Sequence, residues 1–511
     1  MQRHYRFVFL AILVLSVAGS RISAFAESGP QNPEVVVIDD SAPAHPFPHF
    51  WEEMFGSGRA ILALRDDYRN DLRSVKQITD FHYVRFHAIF HDEVGVYNED
   101  AQGHPVYNFS YVDQIYDGLL ANGVRPFVEL SFMPKALAAD KNALHAFWYK
   151  ENISPPKDYG KWDEMIRQFT KHLVDRYGIS EVSQWYFEVW NEPNLDFWAG
   201  SPRQATYFEL YDHTVRAIKS VDARLRVGGP ATAQAAWADV FIRHCVDNHV
   251  PVDFVSSHVY GNDKAEDVFG TSEKIPRDQM VCRAIKKVHE QIKASTKPDL
   301  PLIWSEFNAS YMNETSVTDS TYMGPWLAET IRQCDGMVDM MSYWTFSDVF
   351  EEQGVVKEPF YGGFGLLAEH SIPKPAFAAF ALLHKLGDER IAVDSDFALA
   401  TRRHDGTLAI AVWNYAVPAG AGAPGTGSPR TVTLKFTGRS AEHALISRVD
   451  GEHGDPRPAY EKMGSPRYPT EAQIETLRSA ARLPAPEGRD LHNGELTLTL
   501  PAHGLAVIEL K

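Results

Sequence analysis

The chain has 511 residues, more than one ordinary domain of about 100–200 residues and enough for a barrel with a second domain. Hydrophobic residues make up 44%, charged residues 23% and aromatic residues 12%. This composition is globular and excludes disorder, collagen and coiled coil. The formal net charge of −17 argues against a nucleic-acid partner, and a neutral ligand held by aromatic faces fits better.

The cysteines are few and widely spaced. Cys245, Cys282 and Cys334 lie 37 and 52 residues apart, which matches neither a disulfide framework nor a zinc pattern. We therefore expect that neither sulfur nor metal holds this fold together. No motif in the sequence implies a cofactor.

The N-terminus has the pattern of a secretory signal peptide over residues 1–26. Arg3 and Arg6 precede an apolar run over residues 7–17, and Ala24-Phe25-Ala26 is a small-x-small cleavage pattern. A membrane anchor is the alternative, but a bilayer span needs about 20 apolar residues and this run is shorter. We expect cleavage before Glu27, a secreted or periplasmic protein, and no membrane association afterwards.

Residues 50–386 alternate predicted strands with predicted helices. Helical spacing is clearest over residues 158–177 and 203–221. The predicted strands are Glu53–Ser57, Tyr83–Ala88, Arg125–Phe132, Gln184–Glu192, Arg226–Ala231, Phe254–Tyr260, Leu302–Asn308 and Met341–Asp348. Eight such units predict an α/β fold, the (β/α)8 TIM barrel. A doubly wound sheet is the alternative, but no Gly-x-Gly-x-x-Gly follows the first strand.

Residues 387–511 have short strands separated by Gly, Pro and Asp turns, which predicts an accessory C-terminal β-sandwich. Residues 27–49 contain a further strand, Glu34–Ile38, which is a candidate to pair with this sandwich. Residues 417–429 are almost entirely Gly, Ala, Pro and Ser and are expected to form a mobile loop.

Two glutamates occupy the strand ends where a barrel of this kind carries its active site. Glu192 ends the fourth predicted strand and Glu306 lies at the end of the seventh, so both open onto one face. Paired carboxyl groups suit glycoside cleavage, since one protonates the leaving oxygen while the other stabilises or captures the cationic carbon. The alternative is that each glutamate caps a helix or pairs with a buried arginine.

Other strand ends carry side chains that suit a sugar. Aromatic faces stack on the apolar faces of sugars, while His and Asn bind hydroxyl groups. Taken singly, each aromatic residue is more often core packing. His258 could also be a metal ligand, but no second ligand stands at a matching sequence spacing. The candidate sugar-binding residues are His87, Asn191, His258, Tyr260, Tyr311 and Trp344.

Longer strings around these residues resemble glycoside hydrolase family 39, most of all its bacterial β-xylosidases. They are Trp190-Asn-Glu-Pro-Asn, Ser305-Glu-Phe-Asn-Ala-Ser-Tyr and Ser342-Tyr-Trp-Thr-Phe-Ser-Asp-Val-Phe-Glu-Glu. The resemblance implies a barrel with a β-sandwich, Glu192 as acid/base, Glu306 as nucleophile, and retention of configuration. It implies that Glu352 joins the candidate residues above in the sugar subsite. The implied reaction releases xylose from the non-reducing end of β-xylosides and xylo-oligosaccharides by double displacement.

Other interpretations of the function stay open at this point. Relatives with β-glucosidase, arabinopyranosidase or α-L-iduronidase activity share the same two glutamates, although an acidic chain would repel a polyanionic substrate. A non-catalytic carbohydrate-binding barrel predicts loss of one glutamate, and both are present. The sequence stops soon after its final predicted strand, at Lys511, without the longer tail of some relatives, so the oligomeric state stays open and a homo-oligomer is compatible.

Overall fold

The structure is a computed structural model that describes residues 33–417, 427–438 and 442–511. The predicted signal peptide and most of the predicted mobile loop therefore lie outside the described residues. The strands are β1 (Glu34–Asp39), β2 (Ala44–Pro46), β3 (Met54–Ser57), β4 (Tyr83–Phe86), β5 (Tyr97–Glu99), β6 (Pro105–Tyr107), β7 (Arg125–Leu130), β8 (Tyr186–Val189), β9 (Arg226–Thr232), β10 (Phe254–Tyr260), β11 (Leu302–Asn308), β12 (Met340–Tyr343), β13 (Leu367–Ala368), β14 (Ile372–Pro373), β15 (Glu389–Ile391), β16 (Ala398–Arg402), β17 (Leu408–Trp413), β18 (Arg430–Thr437), β19 (His443–Val449), β20 (Glu487–Asp490), β21 (Glu495–Leu500) and β22 (Leu505–Leu510). The helices are α1 (Asp66–Lys76), α2 (Ser110–Leu120), α3 (Tyr159–Tyr177), α4 (Ile179–Val182), α5 (Arg203–Val221), α6 (Ala238–Asp247), α7 (Ala265–Phe269), α8 (Arg277–Lys293), α9 (Met323–Cys334), α10 (Pro375–Leu383), α11 (Arg457–Lys462) and α12 (Glu471–Ala480).

Eight parallel strands close into a barrel in the order β3-β4-β7-β8-β9-β10-β11-β12. The helices between them bury one apolar face against the barrel wall, as α3 does with Trp162, Ile166 and Phe169. The predicted TIM barrel is confirmed. Among the described residues, no helix combines the length and the apolarity that a membrane crossing requires.

The barrel interior is layered, because every second residue of a strand points inward. The first inward residues form a buried apolar floor that includes Met54, Phe127 and Phe254. Two residues further along β4, β7 and β8 come Arg85, Glu129 and Glu188. The polar layer thus starts one step above the floor, towards the C-terminal ends of the strands.

The C-terminal region is a β-sandwich whose larger sheet serves two cores. A three-stranded sheet, β1-β18-β21, faces a seven-stranded sheet, β2-β15-β16-β17-β22-β19-β20. Along β17, Ile410 and Val412 pack between the sheets, whereas Ala411 and Trp413 join the barrel core. Because neighbouring residues of a strand face opposite sides, one sheet binds the barrel and closes the sandwich. The predicted accessory sandwich is confirmed.

The N-terminal strand belongs to the sandwich and not to the barrel. β1 runs parallel to β18, with Glu34 opposite Val432 and Asp39 opposite Thr437. Val36 and Ile38 of β1 are buried in the sandwich core. The accessory domain is therefore assembled from both ends of the chain.

Two short helices interrupt the sandwich, where only strands and turns were predicted. α11 and α12 lie over residues 457–480 and pack on the loop that follows β12. The rings of Phe360 and Tyr460 are 5.0 Å apart, and the Arg467 side chain donates to the Lys357 carbonyl. The inserted helices thus support the loop that carries Glu352.

The expectation that sulfur plays no part in the fold is wrong. Cys282 of α8 and Cys334 of α9 form a disulfide, with their Cα atoms 5.1 Å apart. Their separation of 52 residues spans one complete strand–helix unit, and consecutive helices of a barrel are neighbours in space. Spacing along the sequence could not reveal this contact. Cys245 is free and buried.

Candidate active site

One cavity of about 420 Å³ lies at the C-terminal ends of the barrel strands. Its volume falls within the range of small-molecule sites, about 300–1,000 Å³. The structure brings all the candidate site residues to this cavity. They are His87, Asn191, Glu192, His258, Tyr260, Glu306, Tyr311, Trp344 and Glu352.

Glu306 is held by two donors, one on each carboxylate oxygen. Arg85 Nη1 donates to Oε1 at 2.6 Å, and the Tyr260 hydroxyl donates to Oε2, also at 2.6 Å. Glu306 itself is 3% exposed. The two contacts fix the orientation of the carboxyl group, and the arginine places a positive charge beside it. This arrangement suits a nucleophile.

Arg85 is the centre of a buried charge network beneath the cavity. Besides Glu306, its guanidinium contacts Glu188 at 2.6 Å and Glu129 at 2.7 Å, and it donates to Asn191 Oδ1 at 2.9 Å. Burial opposes ionisation of Glu129, but Arg85 and His87 hold its pKa below the ordinary value. A buried cation needs such partners, because its desolvation is costly when it is unpaired. The network fixes Glu306 and Asn191 in position.

Glu192 has a different environment, in which no lysine or arginine of the described residues forms an ion pair with it. Its Oε1 lies 3.0 Å from Nδ1 of His258. Nε2 of His258 faces the Ser305 hydroxyl at 3.1 Å, and that hydroxyl donates to Glu188 at 2.7 Å. Ser305 must therefore accept from Nε2–H, which leaves Nδ1 of a neutral His258 as an acceptor. A proton on Glu192 completes this chain of hydrogen bonds.

The surroundings of Glu192 favour its protonated form. Burial, and then the charge of Glu306, raise the pKa of Glu192 well above its ordinary value. Burial and the nearby Arg85 lower the pKa of His258, so this imidazole stays neutral. A carboxyl group with a raised pKa that faces a second carboxyl group suits a general acid.

The backbone after β8 is strained where it presents Glu192. Trp190 has φ of 72° and Glu192 has φ of 44°, in the left-handed region that costs non-glycine residues about 1–3 kcal/mol. The Glu192 N–H donates to the Ala231 carbonyl at 2.8 Å, and the ring of Trp190 is anchored by its N–H to Phe197. These contacts hold the carboxyl group over the cavity.

The remaining candidates surround the two glutamates. His87 Nδ1 donates to the Glu129 carboxylate at 2.7 Å, and its ring lies 4.7 Å from that of Trp344. Glu352 is nearly enclosed, and burial together with Glu306 raises its pKa. Tyr311 is 47% exposed and stands at the mouth, where it contacts the ring of Tyr260. The cavity therefore has polar groups at its base and aromatic rings on its walls.

Several site residues were missed by the sequence analysis. Arg85, Glu129, Glu188 and Ser305 form the layer beneath the cavity. The sequence did contain an indication of these residues. A charged residue at an inward position of a buried strand needs a partner, so such positions point to a polar network. A register shift in β11 also brings consecutive residues, Ser305 and Glu306, into the interior, which alternation alone would not predict.

Glu192, His258 and Glu306 each offer a ligand atom, all within 4.8 Å of one another. No metal-ligand spacing was visible in the sequence around His258, because these three residues come from three different strand ends. Arg85 already supplies the positive charge at Glu306.

A barrel cavity with two facing carboxyl groups, one paired with an arginine and the other with a raised pKa, fits the site of a glycoside hydrolase. The profile of the glycosyl hydrolases family 39 matches residues 34–495. A β-xylosidase of Geobacillus stearothermophilus is 40% identical over 90% of this chain and 92% of its own length. A β-xylosidase of Caldicellulosiruptor saccharolyticus is 37% identical over 90% of this chain and 95% of its own.

The solved structure of a monomeric β-xylosidase from Caulobacter crescentus CB15 is also similar. It is 36% identical, covers 94% of this chain and 99% of its own, and superposes with a TM-score of 0.85. The chain belongs to glycoside hydrolase family 39 and is a glycoside hydrolase.

The hydrogen bonds through Ser305 imply that this serine affects how kcat/KM depends on pH. In Ser305→Ala, Nε2 of His258 loses its acceptor, so the tautomer with Nδ1–H becomes accessible and stabilises ionised Glu192. We expect the alkaline limb of kcat/KM to move about half to one unit towards acid, the value of one hydrogen bond. The pH–rate profile on an aryl glycoside measures this shift.

Ser257→Ala is the matched control. Ser257 precedes His258 in β10, and its hydroxyl donates to the Thr232 carbonyl at 2.7 Å. Its pH profile should match that of the wild type. An unchanged alkaline limb in Ser305→Ala would show that Ser305 does not set the His258 tautomer.

Proposed function

We propose that this enzyme is a retaining β-xylosidase that removes xylose from the non-reducing end of β-xylosides and xylo-oligosaccharides. The observation that supports a retaining mechanism is that a carboxyl oxygen of Glu192 and one of Glu306 lie within 4.8 Å of each other. Retaining enzymes hold their carboxyl groups about 5–5.5 Å apart, whereas inverting enzymes need about 6.5–9.5 Å for a water. The names of the three relatives support xylose as the sugar.

In the first step Glu192 gives its proton to the glycosidic oxygen while a Glu306 oxygen attacks the anomeric carbon. The bond to the leaving group breaks, and a glycosyl ester forms on the face opposite to it. Arg85 and Tyr260 hold the two carboxyl oxygens of Glu306 in position for this attack. The amide oxygen of Asn191 is occupied by Arg85, which leaves its N–H groups to bind the hydroxyl beside the reacting carbon.

In the second step Glu192 acts as the base. The ester has removed the charge of Glu306, which was one cause of the raised pKa of Glu192. The Glu192 pKa then falls, and the carboxylate can take a proton from water as the water attacks the anomeric carbon. Two inversions return the starting configuration, and Glu192 regains its proton.

The electrostatics of the cavity disfavour a uronic acid as the substrate. Five carboxyl side chains line it, and Lys264 is the one lysine or arginine among the described lining residues. A sugar carboxylate in that cavity would meet like charge. A neutral sugar is therefore the better fit, which favours β-xylosidase over α-L-iduronidase activity.

A panel of p-nitrophenyl glycosides tests the substrate class. We expect kcat/KM for the β-xyloside to exceed that for the β-glucoside and the α-arabinopyranoside by at least about tenfold. This is the smallest discrimination that a pocket usually achieves against a substrate with one extra or missing group. The α-L-iduronide should not be cleaved above background. A preference for glucose or arabinose would retain the mechanism and change the sugar, and no cleavage at all would favour the non-catalytic reading.

Proton NMR of the first-formed sugar tests retention. A β-xyloside should release β-xylose first, with the α-anomer growing only at the rate of mutarotation. An initial α-anomer would contradict the double-displacement mechanism. The dead time must be short against mutarotation, so a high enzyme concentration is needed.

We also propose that the protein acts outside the cytoplasm. The pattern of residues 1–26 supports export, and the Cys282–Cys334 disulfide belongs to oxidising compartments. Cell fractionation followed by N-terminal sequencing should find the protein in the periplasm or medium, beginning at Glu27. Recovery from the cytosol with Met1 in place would contradict this.

A further inference from the structure

A second cavity of about 420 Å³ lies at the opposite end of the barrel, beside the junction with the sandwich. Its lining comes from the segments before β3 and β4, from the end of α10, and from the turn at Leu386 and Gly387. This is the N-terminal face of the barrel strands, where side chains serve stability and not catalysis. None of the candidate catalytic residues lies there.

Three potential ligands converge on this cavity from both ends of the barrel sequence. Glu52 Oε1 lies 2.7 Å from Nδ1 of His49 and 2.7 Å from Nδ1 of His384. One ligand atom from each of the three residues lies within 4.8 Å of the others. His49 and Glu52 precede the first barrel strand, and His384 follows the last helix.

A second observation points to a missing partner. Glu52 is 2% exposed, and its Oε2 atom has no hydrogen-bond partner among the described residues. A buried carboxylate oxygen without a partner is costly. The two histidines remain partly open to solvent, with side-chain exposures of 23% and 40%, so an ion can reach them.

The charge around these three side chains favours a cation. Glu53, Asp80 and Asp388 also line the cavity. Its one arginine, Arg403, is engaged elsewhere, with the Lys385 carbonyl at 2.9 Å and Glu509 at 2.9 Å. His384 caps the C-terminal end of α10, where the helix dipole attracts positive charge.

We propose that His49, Glu52 and His384 bind a divalent transition-metal ion of the Zn²⁺ class, which ties the start of the barrel to its end. Two imidazoles and a carboxylate are a typical donor set for such an ion, with water completing the coordination. Ligand atoms at about 2.0–2.2 Å from tetrahedral zinc stand about 3.3–3.6 Å apart, so each imidazole nitrogen must move about 0.6–0.9 Å away from the Glu52 oxygen that it now contacts at 2.7 Å. Binding displaces the imidazole protons that now face Glu52.

Calorimetric titration of tag-free, EDTA-treated protein with ZnCl₂, paired with thermal melts, tests this site. Wild type should bind one Zn²⁺ per chain here, melt several degrees higher when loaded, and bind more tightly at pH 8 than at pH 6, since protons compete for the histidines. His384→Gln and His49→Gln should lose both the uptake and the melting shift. Glutamine keeps an N–H donor for Glu52, so these variants are expected to fold.

Two controls separate this site from its neighbours. His82→Gln alters another histidine of the cavity, which contacts Glu53 at 3.0 Å, and should bind zinc as the wild type does. Turnover by zinc-free His384→Gln should equal that of the wild type, because the active site is at the other end of the barrel. No zinc uptake by wild type, uptake unchanged in both glutamine variants, or uptake lost only in Glu306→Ala would each overturn the proposal.

Discussion

Glu306→Ala is expected to lower kcat/KM on every β-xyloside by about 10⁵-fold or more, the scale on which removal of a nucleophile acts. The loss should not depend on the leaving group, since no glycosyl ester can form even when the departing phenolate needs no proton. Initial rates on a series of aryl xylosides measure this. Thermal melts should show that the variant folds, because Arg85 keeps Glu129 and Glu188 as partners.

Glu290→Ala is a suitable control for the loss of a glutamate as such. Glu290 is exposed on α8, far from the barrel interior, and pairs with Lys286 at 3.8 Å. Exposed pairs of this kind contribute at most about 1 kcal/mol, so activity should be unchanged. If Glu306→Ala retained activity within about tenfold of the wild type, a nucleophilic role for Glu306 would be excluded.

Glu192→Ala is expected to separate substrates by leaving group. Substrates with alkoxide or poorly activated leaving groups should lose about 10²–10⁴-fold, the usual value of general acid catalysis. Activated aryl xylosides should still form the glycosyl ester, because their phenolates leave without a proton. The ester then persists, since no base assists water, and a burst of phenolate should precede slow turnover.

Azide distinguishes the roles of the two glutamates. In Glu192→Ala, azide can attack the glycosyl ester without the help of a base. Added azide should therefore restore turnover of this variant and give β-xylosyl azide, with retained configuration. In Glu306→Ala any azide product should be the α-anomer, formed by one direct displacement. Rescue confined to Glu306→Ala would mean that the roles are reversed.

The barrel could be predicted because its signal is local. Each of the eight runs predicted as barrel strands contains the observed strand or overlaps it, and Phe254–Tyr260 and Leu302–Asn308 agree at both ends. Burial on both faces leaves apolar, β-branched runs that a short window of sequence detects. Strand ends were less certain, since Gln184–Glu192 was predicted and the strand spans Tyr186–Val189. The backbone leaves the ladder at Trp190 to present Glu192.

What escaped prediction depends on contacts between distant segments. The partners of Arg85 come from three other strands, and their convergence depends on barrel closure and register. The Cys282–Cys334 bond likewise needs the helix neighbours to be known. Helices α11 and α12 were missed because each is short and packs on a barrel loop, so tertiary contacts outweigh a weak local signal.

The pairing of β1 with β18 has a consequence for the order in which the protein is made. A chain emerges from its N-terminus, so Val36 and Ile38 are synthesised before the barrel, while their partner strand follows it. The entropic cost of closing a loop grows only with the logarithm of its length. The long stretch of chain between β1 and β18 therefore adds little to the free-energy cost of pairing them. It does leave an unpaired strand edge exposed throughout elongation, which is an aggregation hazard. A nascent chain that stalls before Thr437 cannot cover that edge, and quality-control proteases or chaperones could recognise it as unfinished.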